Sequence, residues 1–239
     1  MREISIVIAT RGRFDKLMNT IKSIYPPSTS LNGKYYYEGI RTHIIFDGDL
    51  DGYRRLQQWM DNRAESVIEI YRVSDFVADS TTAFVGSVAA RNLILPLCND
   101  GILWATDDIE FEPDVIRMAL HTFNEKFPDD DGVVGFVQEG VSNFHPTGVG
   151  LMGQKFLQRY PDMRLFFPGY FHFACQEIYW LANKYDKFYQ DPEAKLFHYH
   201  PAFHKELTDQ THIDARIHKK RDHDLIKERE AAGLIWGDA

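Results

Sequence analysis

A run of six residues, Gly101-Ile102-Leu103-Trp104-Ala105-Thr106, leads straight into Asp107-Asp108. A run that short and apolar reads as a buried strand. Carboxylates at its C-terminal end fall on the edge where open α/β sheets bind ligands. Two adjacent carboxylates repel each other, and a hard divalent cation held by oxygen ligands is a common relief. The alternative is a solvated turn ahead of a helix that begins near Pro113.

The flanking sequence repeats the same alternation. Ile4 to Ala9 is a continuous β-rich run, followed by Thr10-Arg11-Gly12-Arg13. Phe14, Leu17, Met18, Ile21 and Ile24 then fall on one helical face, ended by Pro26-Pro27 and a polar loop through Gly33. Thr42–Phe46 reads as a second strand closed by the turn-rich Asp47–Gly52, Tyr53–Met60 as a helix, and Val67–Tyr71 as a third strand. Val88–Leu95 is predicted helical, as is the segment after Pro113 with Ile116, Leu120, Phe123 and Phe127 on its apolar face. Strands alternating with helices through short polar links predict an α/β fold, an open and mostly parallel sheet with helices on both faces.

After Gly132 the pattern changes. Val133–Val137 is one more strand, Gly148–Gly153 a glycine-rich loop, and Gln154–Arg159 and Phe173–Tyr185 are helical. Ala194–His200 reads as a strand ending in two histidines, His198 and His200, on one face. From Asp214 onward the chain is charged and helical, with Gly233 as its stop.

A length of 239 residues fits one domain, and 44% hydrophobic residues supply a core. Cys98 and Cys175 provide neither a disulfide framework nor a metal spacing. No apolar run reaches the roughly 18–20 residues of a membrane span, and the N-terminal apolar stretch is short for a signal peptide, so a cytoplasmic protein is the expectation. A formal net charge of −8 argues against a protein built to hold a long polyanion. The local basic groups, Arg11, Arg13 and the cluster Arg216–Arg221, suit a phosphate-bearing ligand better, although the cluster reads equally as a solvated helix face.

Three strand ends carry polar groups able to meet in one crevice: Thr10-Arg11 with Arg13, Asp47, and Asp107-Asp108. Gly86-Ser87-Val88-Ala89-Ala90-Arg91-Asn92 adds a helix start that can approach a ligand closely. In this order, Ile4–Ile24, Phe46–Gly52, Gly86–Asn92 and Ile102–Pro113 resemble the family 2 glycosyltransferases of the GT-A (nucleotide-diphospho-sugar transferase) fold. The family shows a strand ending in Thr, a strand ending in Asp-Asp-Gly-Ser, a Gly-x-x-x-Ala-Arg-Asn helix, and a strand ending in an Asp-x-Asp motif before Pro. The resemblance covers most of the first 115 residues.

What the resemblance implies is a metal-dependent inverting transfer of a sugar from a nucleotide-diphosphate donor, a UDP-sugar being favoured, to an acceptor hydroxyl. It implies donor contacts from Thr10, Arg11, Arg13, Asp47, Arg91 and Asp107. Mn²⁺ or Mg²⁺ would sit on Asp108, with His198 (or His200) as a second anchor. Thr106 replaces the first acidic residue of the family motif, and Asp108-Ile109-Glu110 is a second register. Glu177, opening a helix, takes the place of the catalytic base, with Asp191 and Glu139 next in line. The halves follow: residues 1–115 for the nucleotide sugar, 116–212 for the acceptor and base, and 213–239 as a tail. Gly148–Gly153 resembles the acceptor-side loop, and Phe166, Phe167, Tyr170, Phe171 and Phe173 are either acceptor stacking groups or packing. The acceptor is open between a small molecule, a glycan, a protein and a modified nucleic-acid base. The competing readings are a nucleotidyltransferase, which would carry a better phosphate loop than Thr10-Arg11-Gly12-Arg13, and a noncatalytic sugar-nucleotide or glycan-binding protein, which Thr106 favours.

Overall fold

The computed structural model describes residues 3–25, 39–64, 76–98, 100–139, 147–172, 174–201 and 208–238. The strand expected at Val67–Tyr71, the loop through Gly33 and Phe173 lie outside them. Strands β1 (Ile4–Thr10), β2 (Ile40–Phe46), β3 (Phe76–Ser80), β4 (Gly101–Thr106), β5 (Ile109–Phe111), β6 (Val133–Glu139), β7 (Gly150–Met152) and β8 (Phe188–His198) form one sheet in the order β3-β2-β1-β4-β7-β6-β8-β5. β1 through β4 pair in parallel, whereas β7 runs antiparallel to both β4 and β6. The architecture is mixed α/β with helices on both faces.

Every residue of β1 is buried, as a central strand covered on both sides must be. On one face Ile4, Ile6 and Ile8 pack against α1 (Phe14–Ile24), α2 (Leu50–Ala64) and α4 (Val115–Lys126). On the other, Val7, Ile45 and Trp104 pack against α3 (Ser87–Ile94), α5 (Gln154–Leu157) and α6 (Cys175–Lys184). A last helix, α7 (Gln210–Ala231), ends where Gly233, at φ +66, closes a left-handed cap. The Leu234 amide reaches the Arg229 carbonyl there, and the Gly233 amide reaches that of Glu230.

Three segments differ from the sequence reading. The segment Asp47–Gly52 already contains the start of α2, because Asp49 accepts the Gly52 amide at 2.9 Å as its cap. Gly150 lies in the sheet rather than in an acceptor loop; a Cβ there would meet Trp104 Cζ2 at 2.5 Å, so the glycine serves packing. β8 begins at Phe188, six residues before the expected start, because its first half pairs in parallel with β6 across a bulge between Gly135 and Val137.

His43 lies on β2, on the same face as Ile45, with both ring nitrogens buried and without a hydrogen-bond partner. Burial, reinforced by Arg41 and opposed by Asp100, lowers its pKa to about 4. The unfolded chain therefore binds a proton that the native state refuses between its ordinary value and about 4, and stability falls as pH drops through that window. Denaturant midpoints at pH 7 and pH 5 should differ less for His43→Leu than for the wild type. An equal acid loss in both would locate the sensitive group elsewhere.

Candidate functional site

The strand register sets the site. Ala9 lies opposite Thr106 and Thr10 opposite Phe46, so the residues that follow β1, β2 and β4 emerge together at one sheet edge. β1 has β2 on one side and β4 on the other, which is where an open sheet leaves a crevice.

Asp107 and Asp108 are each 4% exposed, which rules out the solvated turn. Thr10 donates its hydroxyl to Asp107 Oδ2 at 2.7 Å. Arg13 Nη1 bridges the pair, 2.9 Å from Asp107 Oδ1 and 3.1 Å from Asp108 Oδ2. Burial raises the Asp107 pKa above the usual range despite Arg13 and Thr10. Burial also works against Asp108, but the His198 hydrogen bond and the charges of His198 and Arg13 outweigh it and hold that carboxyl well below the usual range. The two carboxylates are thus differentiated by their partners.

His198 arrives through β5. Ile109 lies opposite His198, and the Tyr199 amide donates to the Asp108 carbonyl at 2.8 Å. His198 Nε2 then stands 3.2 Å from Asp108 Oδ1, while Nδ1 is 2.8 Å from Gln138 Oε1. A carbonyl oxygen only accepts, so Nδ1 carries a hydrogen there, the arrangement that orients metal-ligating histidines. His200 packs beside His198, ring centroids 5.5 Å apart, with its pKa lowered to about 4 by burial and by His198.

The donor set fits a divalent cation of limited protein coordination. Among the described residues no three His, Cys, Asp or Glu side chains are arranged to hold a metal. Two donor atoms on one ion at ~2.1 Å stand about 3 Å apart, close to the Asp108–His198 spacing, and Mg²⁺-type sites often take one or two protein ligands with phosphate and water completing the shell. In the second register, Glu110 accepts the Tyr199 hydroxyl at the surface instead.

Asp47 holds a loop. Its Oδ1 accepts the Val85 amide at 2.8 Å and the Thr81 hydroxyl at 3.2 Å, and its Oδ2 the Gly86 amide at 2.9 Å. Burial raises its pKa in spite of these bonds. The loop presents Phe84, whose ring lies 3.8 Å from the Arg11 guanidinium carbon. Gly86, at φ +94, is pressed against Phe171, which a Cβ would meet at 2.7 Å. Arg91 is buried beneath the pair and donates to the Ala105 carbonyl at 3.0 Å.

The sequence reading missed what α7 contributes. Asp209, its N-cap, takes Arg13 through Nε at 2.8 Å and Nη2 at 3.1 Å. His212 Nε2 is 3.0 Å from Arg13 Nη2, and Asp214 pairs with Arg11. Asp209-x-x-His212 has the spacing of a capping box and marks a helix start, but nothing in it points to the loop after β1. His172 was also missed: Ser87 Oγ lies 3.2 Å from its Nδ1, and burial, then the charges of Arg91 and Arg13, lower its pKa to about 4.

Glu177 differs most from expectation. It is 3% exposed and joins a second buried cluster. Arg229 Nε and Nη2 reach its two oxygens at 2.6 and 2.9 Å, the Trp236 amide at 2.5 Å, and Tyr170 donates its hydroxyl. A carboxylate held by an arginine fork, an amide and a phenol ties α6 to the C-terminal segment, and both of its oxygens are already engaged there. Asp107, Asp108, Thr10, Arg13 and His198 meet; Glu177 has none of them among its partners.

No protein-family model and no curated protein sequence matches the chain. Solved structures do. The mannosyltransferase PcManGT from Pyrobaculum calidifontis, in complex with GDP-Man and Mn²⁺, superposes with a TM-score of 0.61 at 10% identity, covering 82% of this chain and 56% of its own. The chain has the GT-A fold. GalNAc-T7 with UDP, GalNAc and Mn²⁺ shares that fold at a TM-score of 0.61 and 11% identity, over 82% of this chain and 43% of its own. The chain spans about half the length of these two structures. In this GT-A chain no described helix is long and apolar enough to cross a membrane.

Breaking the Glu177–Arg229 pair should cost about 3–5 kcal/mol, since it strands a buried charge. Arg229→Ala should therefore lower the denaturation midpoint strongly. A midpoint within experimental error of the wild type would show that the cluster holds nothing together.

Proposed function

We propose that the protein is a divalent-metal-dependent glycosyltransferase using a nucleotide-diphosphate sugar, UDP- or GDP-linked. The observation that carries this reading is the convergence of Asp107, Asp108, Arg13 and His198 at the β1–β4 edge of a GT-A fold. Asp108 and His198 would hold Mn²⁺ or Mg²⁺, which supplies charge stabilisation for a diphosphate leaving group. Arg11 and Arg13 would face the phosphates, with Arg91 adding positive charge from beneath. Asp47 shapes the loop bearing Phe84 on the nucleotide side and also offers its carboxylate edge to the ribose or base. Residues 1–115 form the donor half in this reading, and residues 116–212 the acceptor half.

Inversion needs a carboxylate to take the acceptor proton. Glu177 is committed to Arg229, and Asp191 is buried within β8. Glu139 is exposed and ends β6, opposite Phe197, one residue before His198 in β8. We assign the base role to Glu139. The noncatalytic alternative rests on Thr106, and turnover decides between the two.

Asp108→Asn should abolish the Mn²⁺-dependent part of GDP or UDP binding measured by calorimetry; unchanged affinity would remove the metal assignment. Glu139→Gln should keep nucleotide affinity and lower transfer by roughly 10²–10⁴. Transfer at the wild-type rate would place the base elsewhere.

A further inference from the structure

The arginines assigned to the donor phosphates are already occupied from within the chain. Arg13 is gripped by both oxygens of Asp209 through two different nitrogens, the same fork geometry an arginine uses on a phosphate. Arg11 is paired with Asp214, and its carbonyl accepts the Thr211 hydroxyl at 2.8 Å. All of these partners belong to the first turns of α7.

The helix that carries them is unusually polar in what it buries. Its buried residues are His212, Ala215 and Asp222, while Ile213 and Ile217 face solvent, the latter 71% exposed. Lifting its first two turns would uncover little apolar surface, and the hydrophobic cost scales with that surface. The second half is anchored differently. Asp222 accepts the Phe171 amide at 3.0 Å and the His172 amide at 2.8 Å, Leu225 and Ile226 pack on the core, and Arg229 holds Glu177. Among the described residues, one end of α7 is therefore held mostly by ion pairs and polar contacts, and the other by packing and a buried pair.

Charge balance sets the first turns of α7 in competition with an anionic ligand. Arg13 faces three carboxylates, Asp107, Asp108 and Asp209. A diphosphate entering with Asp209 in place would add like charge around a single guanidinium. We propose that the first turns of α7 are an internal acidic strap on the phosphate-binding arginines, and that a nucleotide diphosphate takes Arg11 and Arg13 by displacing Asp209 and Asp214. This rests on the donor-site reading above and adds a regulation of that site: the strap competes for the two arginines and sets the apparent affinity by its own equilibrium.

The test is the double variant Asp209→Asn/Asp214→Asn. Asparagine keeps the N-cap, so the helix start is preserved while the competing charges go. Calorimetry with GDP and with UDP, each with Mn²⁺, should give about three- to tenfold tighter binding than the wild type. In the wild type, either nucleotide should speed hydrogen exchange over residues 210–218 and leave residues 222–231 unchanged. Binding no tighter in the variant, or greater protection of 210–218 on nucleotide addition, would make the first turns a wall of the site and overturn the strap alone. Binding of neither nucleotide to either protein would overturn the donor-site reading, and the strap with it.

Discussion

Two adjacent carboxylates buried at the end of a central strand are the constraint around which the sheet edge is organised. Asp107 and Asp108 cannot both stay charged and dry without cations, because the desolvation penalty is several kcal/mol per ion. The chain meets that demand from two distant places, the end of β1 with its loop and the end of β8. Arg13 comes from the loop after β1, His198 from the end of β8, and Thr10 adds a hydroxyl from the neighbouring strand. β5 brings His198 to the pair: it is a three-residue strand whose register sets Ile109 against His198.

The same buried charge separates the roles of the arginines and histidines. Arg91, deep beneath the pair, is spent on a backbone carbonyl, whereas Arg13 at the crevice touches both carboxylates and α7. Burial lowers His200 and His172 to about 4, leaving them neutral near neutral pH. His198 joins Asp108 through one nitrogen at 3.2 Å and the Gln138 side-chain carbonyl through the other, whereas His212 Nε2 stands 3.9 Å from Asp108. Such a geometry supports a metal at Asp108 and His198, and it is the physical content of the proposed transferase reading.

Much of this was legible in sequence where chemistry is local. The run Gly101–Thr106 is observed with the bounds read from its composition, and α1 buries Leu17, Met18, Ile21 and Ile24 of the face read for it, with Phe14 partly buried. Thr10, Asp47 and Asp107 stand at strand ends because continuous apolar runs announce where strands stop. What composition hides is pairing over long separations. The first half of β8 carries Gln190, Asp191 and Glu193, a polar run that becomes a strand only through its bulged pairing with β6. Gly150 looks like a loop residue until Trp104 is packed on it. Glu177 opens a helix, as expected, but its role is set by Arg229, 52 positions later, and no local pattern connects them. α7 has no apolar stripe to reveal which of its faces meets the body. Many of its contacts are ionic, and ionic contacts leave no periodicity.

Under the proposed function this crevice binds a nucleotide-diphosphate sugar through a divalent ion and breaks the bond between the sugar's anomeric carbon and the diphosphate. The most direct measurement is release of nucleotide diphosphate from a panel of UDP- and GDP-sugars by the purified protein, with Mn²⁺ and with the metal chelated. Release from at least one donor is expected in Mn²⁺, abolished by chelation and by loss of the Asp108 carboxylate. Release from no donor, together with no Mn²⁺-dependent binding of any of them, would contradict it.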